Sequence, residues 1–165
     1  TDEDAARGGP NFKMNPPLRG SADLDALQSG LREGIIEVVA TDHAPHSIAA
    51  KAQPFLTAPF GVIGLETAAA VIWTCFVRQG LLTPLEMADR MAAAPRRIFL
   101  GDRCGGVSPG RMCDAVLFDP EAVWNVDPEK FHSRSRNCPF AGWVLQGRVQ
   151  ATLVDGEVRY RAAVR

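Results

Sequence analysis

Residues 34–46 decide the fold and read Gly34-Ile35-Ile36-Glu37-Val38-Val39-Ala40-Thr41-Asp42-His43-Ala44-Pro45-His46. The apolar, β-branched run after the glycine predicts a short strand, over about residues 35–40, that is covered on both faces as in a parallel sheet. Parallel barrels carry their chemistry at the C-terminal ends of the strands, where Asp42 and His43 stand. The proline that follows prevents a regular helix, so we expect His46 on an exposed loop. From spacing alone, a chemical site and a capped surface loop are equally good interpretations.

The composition is that of a globular domain. The chain has 165 residues, 46% of them apolar, and a net charge of −1. A chain of this length can bury roughly 70% of its unfolded surface. The 18 basic and 19 acidic residues are scattered, which argues against a nucleic-acid or membrane partner. The chain has no uncharged apolar run of membrane-spanning length, and its first four residues do not resemble a signal peptide.

The cysteines Cys75, Cys104, Cys113 and Cys138 have no C-x-x-C spacing. A zinc ribbon or a thioredoxin-like redox site is therefore unsupported, and inert packing is the expected role. Four dispersed thiols fit a reducing compartment, so the sequence predicts a cytoplasmic protein.

The segment before the first predicted helix places Asn15 directly ahead of two prolines. Each residue before a proline is pushed towards extended geometry, which holds Asn15 just before a rigid turn. Its amide could face a ligand, or it could bond the backbone of its own turn.

A helix and the strand of residues 35–40 together predict an α/β repeat. Three leucines recur at i, i+3 and i+7 from Leu24, with Ser21 or Asp23 as the cap and Gly34 as the stop. We expect this leucine stripe to face a sheet of parallel strands.

Residues 47–64 predict a long loop with an apolar tip at Phe55-Leu56. Loops of this length are usually functional, and we interpret it as a cover over the active site. Within it, Pro59-Phe60-Gly61 would bring backbone groups close to a ligand because glycine has no Cβ. An ordinary turn is an equally good interpretation.

The rest of the chain divides near Leu100. Residues 66–79 predict an apolar helix, and Thr83-Pro84-Leu85-Glu86 predicts a helix that begins with a capping box and ends near residue 94. A helical turn should follow over residues 95–99. From Gly101 the chain is rich in glycine and strand-like runs, including Gly105-Gly106, and Asp155-Gly156 predicts a hairpin. The predicted domains are therefore residues 1–100 and 101–165.

Three segments together resemble the long bacterial type of dihydroorotase, in the amidohydrolase superfamily. They are Lys13-Met14-Asn15-Pro16-Pro17-Leu18-Arg19, Thr41-Asp42-His43-Ala44-Pro45-His46 and Pro59-Phe60-Gly61-Val62-Ile63-Gly64-Leu65-Glu66. Residues 108–116 are similar to the superfamily's return strand, and residues 133–140 to the dihydroorotase C-terminal segment. The resemblance covers essentially the whole chain.

The resemblance implies an α/β fold and only the C-terminal part of an enzyme. It implies about strands 7 and 8 of a (β/α)₈ TIM-like barrel with their helices, followed by part of a small β-sandwich. The family's His-x-His, its modified lysine and two further metal-binding histidines lie upstream of anything that matches Thr1. The missing N-terminal part is therefore an expected partner, without which strand edges and apolar faces would be exposed.

The resemblance also implies roles for single residues. Asp42 matches an aspartate that binds zinc and exchanges the catalytic proton, as a carboxylate beside zinc-bound water can. Asn15 and His46 match residues that hold the substrate, and Phe60 and Gly61 match its backbone contacts.

Two positions carry no role from the resemblance. No role transfers to His43, and our hypothesis is that it orients Asp42. Where the family has an acidic pair before Lys51, this chain has Ala49-Ala50. Because these positions match no ligand, they bear on loop closure rather than on chemistry.

The leading interpretation is a fragment of a zinc-dependent dihydroorotase, with one or two zinc ions, that is inactive alone. Such an enzyme interconverts N-carbamoyl-L-aspartate and L-dihydroorotate in pyrimidine synthesis. The alternatives are another cyclic amidohydrolase, such as a hydantoinase or allantoinase, and a non-catalytic subunit that scaffolds aspartate transcarbamoylase. Asn15 and His46 argue against the first alternative. A homo-oligomer or an aspartate transcarbamoylase complex is compatible with the resemblance.

Overall fold

A computed structural model describes residues 1–101 and 107–163 of the chain. The predictions at Cys104 and Gly105-Gly106 lie outside these residues. The chain forms two compact units: unit 1 is Thr1–Ala68 with Asn125–Trp143, and unit 2 is Ala69–Trp124 with Val144–Arg165. The predicted division near Leu100 stays a prediction.

Unit 1 is built from short helices joined by long connections. Its helices are α1 (Asp2–Gly8), α2 (Ser21–Arg32) and α3 (Ile48–Lys51), with 3₁₀ turns at Gly9–Phe12 and Pro128–Lys130. Its buried centre contains Leu31, Ala58, Ile63, Val126 and Cys138.

The strand predicted over residues 35–40 is not formed in this chain, because no strand among the described residues pairs with it. None of its residues is buried, and Ile35 is 75% exposed. A strand exists through its hydrogen-bonded neighbours, and a parallel strand also needs a layer on each face. The only ladder contact beside it among the described residues is a parallel bridge between His43 and Val62.

Helix α2 confirms the predicted helix, but two of its predicted details are wrong. The N-cap is Gly20, and no side chain caps the helix. Of the leucine stripe only Leu31 is buried, whereas Leu24 and Leu27 are 40% and 53% exposed. The stripe has no sheet to face because the strand beside it is not formed.

The predicted loop of residues 47–64 contains a helix that the sequence analysis missed. The Ser47 hydroxyl accepts from the Ala50 N–H at 3.2 Å and so caps α3. The end of the predicted apolar tip, Leu56, is 89% exposed.

Unit 2 combines helices with an antiparallel hairpin. Its helices are α4 (Ala68–Ile72), extended by a π turn at Trp73–Val77, α5 (Pro84–Ala88), extended by a π turn at Asp89–Ala93, and α6 (Ala94–Leu100). The capping box is confirmed, because the Thr83 N–H donates to the Glu86 carboxylate at 2.7 Å and the Glu86 N–H to the Thr83 hydroxyl at 3.2 Å.

The sheet of unit 2 has three strands in the order β1 (Ala115–Asn125), β2 (Val144–Val154) and β3 (Glu157–Arg161). Strands β2 and β3 are antiparallel, with Val154 opposite Glu157. Asp155 and Gly156 both have positive φ, 53° and 78°, as a two-residue hairpin turn requires. The predicted hairpin is thus confirmed.

The core of unit 2 joins its helical and strand layers. Leu145 is fully buried, and the rings of Trp73 and Phe118 meet edge to face at 5.4 Å. Gly147 lies beside them, where a Cβ would come within 2.4 Å of Phe118.

No helix among the described residues is long and apolar enough to cross a membrane.

Candidate active site

Four of the five segments that carry the sequence resemblance lie together in unit 1, whereas residues 108–116 belong to unit 2. The Ala44 N–H donates to the Val62 carbonyl at 2.9 Å, and the Gly61 N–H donates to the Lys13 carbonyl at 2.9 Å. The Ile63 N–H donates to the Asn137 carbonyl at 3.1 Å. Backbone bonds therefore join residues 13–19, 41–46, 59–66 and 133–140.

Asp42 is an exposed carboxylate at the end of the apolar run. Its φ of 44° lies in the left-handed region, which residues other than glycine adopt at a cost of order 1–3 kcal/mol. Among the described residues, no hydrogen bond or ion pair to its carboxylate is found. Both oxygens are thus free to take a metal ion or a proton.

Asn15 is also exposed, and the described contacts do not join it to Asp42 or His46. It follows Lys13, whose backbone carbonyl binds Gly61. The structure therefore places the peptide that carries Asn15 beside the Gly61 loop.

His46 is held at both ends. Its backbone N–H donates to Asn137 Oδ1 at 3.3 Å, and its ring Nε2 lies 2.8 Å from the Phe60 carbonyl oxygen. A carbonyl only accepts, so Nε2 carries the proton in this bond. Nδ1 of the neutral ring is then an acceptor, and only the doubly protonated ring offers a second N–H to a carboxylate.

Phe60 and Gly61 already use backbone groups within the protein. The Phe60 carbonyl binds His46, the Gly61 N–H binds Lys13, and the Gly61 carbonyl accepts from Asn137 Nδ2 at 3.2 Å. A carbonyl can accept twice, so further contacts to a ligand would fall on the carbonyl oxygens. Gly61 has φ 108°, and a Cβ there would lie 2.5 Å from that of Ala44, so only glycine fits.

His43 faces the backbone of the neighbouring loop. Its Nδ1 accepts from the N–H groups of Gly64 and Leu65 at 3.2 and 3.4 Å. An accepting Nδ1 fixes the tautomer with the proton on Nε2. The orientation of Asp42 by His43 stays a hypothesis, since no described hydrogen bond joins the two side chains.

Two buried lysines beneath this loop were missed by the sequence analysis. Lys13 Nζ donates to the carbonyls of Leu56 and Ala58 at 2.9 and 2.7 Å. Lys51 Nζ donates to the carbonyls of Pro10 and Pro59 at 2.8 and 3.0 Å. The two side chains fix the loop that carries Phe60 and Gly61.

Burial and then the charge of Lys13 lower the pKa of Lys51. Both lysines are less than 10% exposed, and neither has a carboxylate partner among the described ion pairs. Backbone carbonyl dipoles stabilise both charges, and Lys13 Nζ also lies 4.5 Å from the centre of the Phe60 ring. No spacing rule marks such lysines in a sequence, although Lys13 stands inside a segment of family resemblance.

His46 also lines a cavity of about 250 Å³ in unit 1, together with Lys51, Arg136 and Asn137. No Asp or Glu among the residues that the structure describes lines it. Neither Asp42 nor Asn15 belongs to it, so the cavity is not a complete active site.

Sequence and structure comparisons extend over nearly the whole chain. No family model matches. The chain is 44% identical over 155 residues, 94% of its length, to a dihydroorotase of Bacillus caldolyticus, and 44% identical over 159 residues, 96% of its length, to one of Enterococcus faecalis. The chain spans only 36% and 37% of these relatives.

The solved structures that it resembles include hydantoinases. An L-hydantoinase (dihydropyrimidinase) of Arthrobacter aurescens matches with a TM-score of 0.88 and 29% identity, over 96% of this chain and 36% of that one. A D-hydantoinase of a Thermus species matches with a TM-score of 0.82 and 26% identity, over 92% and 34%. The chain thus belongs with the dihydroorotases of the amidohydrolase superfamily, as the C-terminal portion of such a sequence.

Proposed function

We propose that the chain is the C-terminal portion of a zinc-dependent dihydroorotase, with Asp42 as its metal ligand and proton carrier. The intact protein would interconvert N-carbamoyl-L-aspartate and L-dihydroorotate in pyrimidine synthesis. The observation that carries the proposal is the 44% identity to dihydroorotases over 94% of the chain. We further propose that the apolar run before Asp42 is a strand of a (β/α)₈ barrel in the intact protein, where it has neighbours.

The residues present fit one part of a zinc site. The Asp42 carboxylate is exposed and free of described hydrogen bonds, and carboxylate oxygens are zinc ligands. A catalytic zinc takes about three protein ligands, but the described residues contain no group of three His, Cys, Asp or Glu side chains suited to a metal ion. Asp42 would thus supply one ligand, and the remaining ligands would come from outside this chain.

Zinc, when bound, would lower the pKa of its water and polarise a carbonyl. The chemistry of this chain would be carried by the Asp42 carboxylate, which would take a proton from the nucleophile and return it to the leaving nitrogen. Asn15, His46 and the Phe60-Gly61 backbone would bind the substrate. His46 can hold the substrate carboxylate either as the doubly protonated ring or by releasing the Phe60 carbonyl.

Two alternatives to this proposal are an enzyme with another substrate and a protein without catalytic activity. The likeness to hydantoinase structures, at 26–29% identity, favours a hydantoinase more weakly than the higher identity to dihydroorotases favours the proposal. A non-catalytic subunit that scaffolds aspartate transcarbamoylase would not need the free carboxylate of Asp42. In either enzymatic case we propose a cytoplasmic protein, consistent with its dispersed thiols.

The test is a substrate comparison on the purified intact protein that contains this chain. L-dihydroorotate, N-carbamoyl-L-aspartate, hydantoin and allantoin are assayed with zinc supplied. The proposal predicts turnover of the first two with a kcat/KM well above that for the other two. Preference for hydantoin would overturn it, and the absence of turnover together with aspartate transcarbamoylase binding would favour the scaffold.

A further inference from the structure

The side chain of Asn137 is a buried cross-link between two segments that carry proposed substrate contacts. Asn137 is only 3% exposed. Its Nδ2 donates to the carbonyls of Ala44 and Gly61 at 3.0 and 3.2 Å, and its Oδ1 accepts the N–H of His46 at 3.3 Å. Both N–H groups of the carboxamide and one acceptor position are thus used.

These bonds complement the direct contacts between the same segments. The Ala44 N–H binds the Val62 carbonyl, so one backbone bond joins the segments directly. Asn137 adds a bond to the carbonyl of Ala44 and another to that of Gly61, and its own carbonyl receives the Ile63 N–H. Residues 44–46 and 61–63 are therefore held from a common third segment.

These hydrogen bonds determine the position of His46. Asn137 fixes the backbone of His46, while the Phe60 carbonyl fixes its ring. A shift of either segment would move the imidazole and the Phe60-Gly61 carbonyls relative to each other. Small displacements of such groups cost substrate binding even when the reacting groups are intact.

The segment that presents Asn137 is itself well anchored. The Glu66 carboxylate accepts the N–H groups of His132 and Ser133 at 2.9 and 3.0 Å. The Arg136 guanidinium donates to the carbonyls of Ser133 and Ser135 at 2.6 and 3.0 Å. Asn137 thus projects from a fixed backbone.

We propose that Asn137 is a positioning residue, whose carboxamide sets the geometry of His46 and the Phe60-Gly61 carbonyls for substrate binding. The inference rests on the proposed function for its link to substrate. An amide is required because a carboxylate of the same shape would set its oxygen against the carbonyls of Ala44 and Gly61, with no N–H to donate. Asn137→Asp therefore removes the two N–H donors while nearly preserving the volume of the side chain.

The test compares Asn137→Asp and Asn137→Ala with Cys138→Ala in the intact protein. Cys138 is the adjacent buried residue, 2% exposed, and its side chain does not link the two segments among the described contacts. We expect both Asn137 variants to raise KM for dihydroorotate by roughly 10–100-fold, with a smaller change in kcat and unchanged zinc content. Cys138→Ala should leave KM within about twofold of the wild type.

Hydrogen exchange on the same proteins supplies a readout independent of activity. Peptides that cover residues 43–47 and 59–64 should exchange faster in Asn137→Asp, with other peptides and the Cys138→Ala protein unchanged there. Wild-type KM in Asn137→Asp, or wild-type exchange in both peptides, would overturn the inference. If the wild-type protein lacks dihydroorotase activity, the proposed function fails, and the exchange of the two peptides still decides whether Asn137 positions them.

Discussion

At the scale of single residues, the site is a set of side chains held by backbone groups. Asp42 was a candidate from its place after an apolar run, and its ligand role came from the family resemblance. Its free, exposed carboxylate agrees with that role, which stays a proposal. Asn137, Lys13 and Lys51 were not predicted, because buried polar residues are defined by backbone groups far away in sequence. Lys13 Nζ, for example, binds carbonyls 43 and 45 residues away.

Substitutions of His46 distinguish its contact with the Phe60 carbonyl from its proposed contact with the substrate carboxylate. His46→Ala in the intact protein should leave zinc content unchanged and lower kcat/KM, because it removes the proposed substrate interaction of roughly 1.5–3 kcal/mol. His46→Gln can still donate to the Phe60 carbonyl but carries no cation, so it should not restore kcat/KM where the doubly protonated ring holds the substrate carboxylate.

Zinc analysis and steady-state kinetics on the same samples check the His46 prediction. Zinc lost with activity would make His46 a metal ligand. Full rescue by Gln would show that a neutral donor is sufficient at this position, and unchanged kinetics in His46→Ala would make it an ordinary loop residue.

Lys51 should make a pH-dependent contribution to stability. Its pKa is lowered from 10.5 by burial and then by the charge of Lys13, so the unfolded chain binds more protons between the two pKa values. Stability from this group therefore rises with pH through that window, up to about 10.5.

The comparison variant for this prediction is Lys51→Met. It should be less stable at neutral pH by roughly 1–3 kcal/mol, because it leaves buried carbonyls without a donor. The wild-type Tm minus the variant Tm should grow as the pH rises towards 10.5, the ordinary pKa of the lysine. A difference that is flat or falls with pH would contradict the lowered pKa.

At the scale of elements, the sequence predicted those whose signals are local. The capping box at Thr83 and the Asp155-Gly156 hairpin were both correct, because a cap and a two-residue turn are specified within four residues. The strand over residues 35–40 was not formed, because its pairing depends on neighbours that the described chain does not provide. Helix α3 was missed because it has only four residues.

Alanine substitutions at two glycines with positive φ distinguish the stability cost of backbone strain from that of a close contact. Gly156→Ala meets no atom within 4 Å, so strain alone should cost about 1 kcal/mol. Gly61→Ala combines strain with a Cβ 2.5 Å from that of Ala44, which adds roughly 1–3 kcal/mol. Thermal unfolding of the two variants in the intact protein checks the order, and an equal or smaller loss for Gly61→Ala would contradict the tight contact.

At the scale of the whole molecule, the chain covers 36% of the length of its dihydroorotase relative from Bacillus caldolyticus. The α/β class was predicted from the helix and strand patterns, whereas the barrel and the grouping of the three motif segments followed from family resemblance. Sequence periodicity could not show which faces are covered, because large apolar residues such as Ile35, Leu65 and Phe99 are exposed in this chain.

The isolated 165-residue chain should hold no stoichiometric zinc and should not cyclise carbamoyl aspartate. It offers Asp42 as the one matched ligand, whereas a catalytic zinc takes about three. Metal analysis and a turnover assay on the purified chain check this. One tightly bound zinc with activity would show that the chain carries a complete site.

The measurement that tests the central claim most directly is kcat and zinc content of the intact protein with Asp42→Asn, against the wild type. Because the amide can neither take the proton nor bind zinc as a carboxylate does, kcat for dihydroorotate should fall by about 10²–10⁴-fold. The wild type should bind zinc and turn over dihydroorotate under the same conditions. A variant that keeps near-normal kcat would show that another residue carries the proton and would contradict the assignment of Asp42.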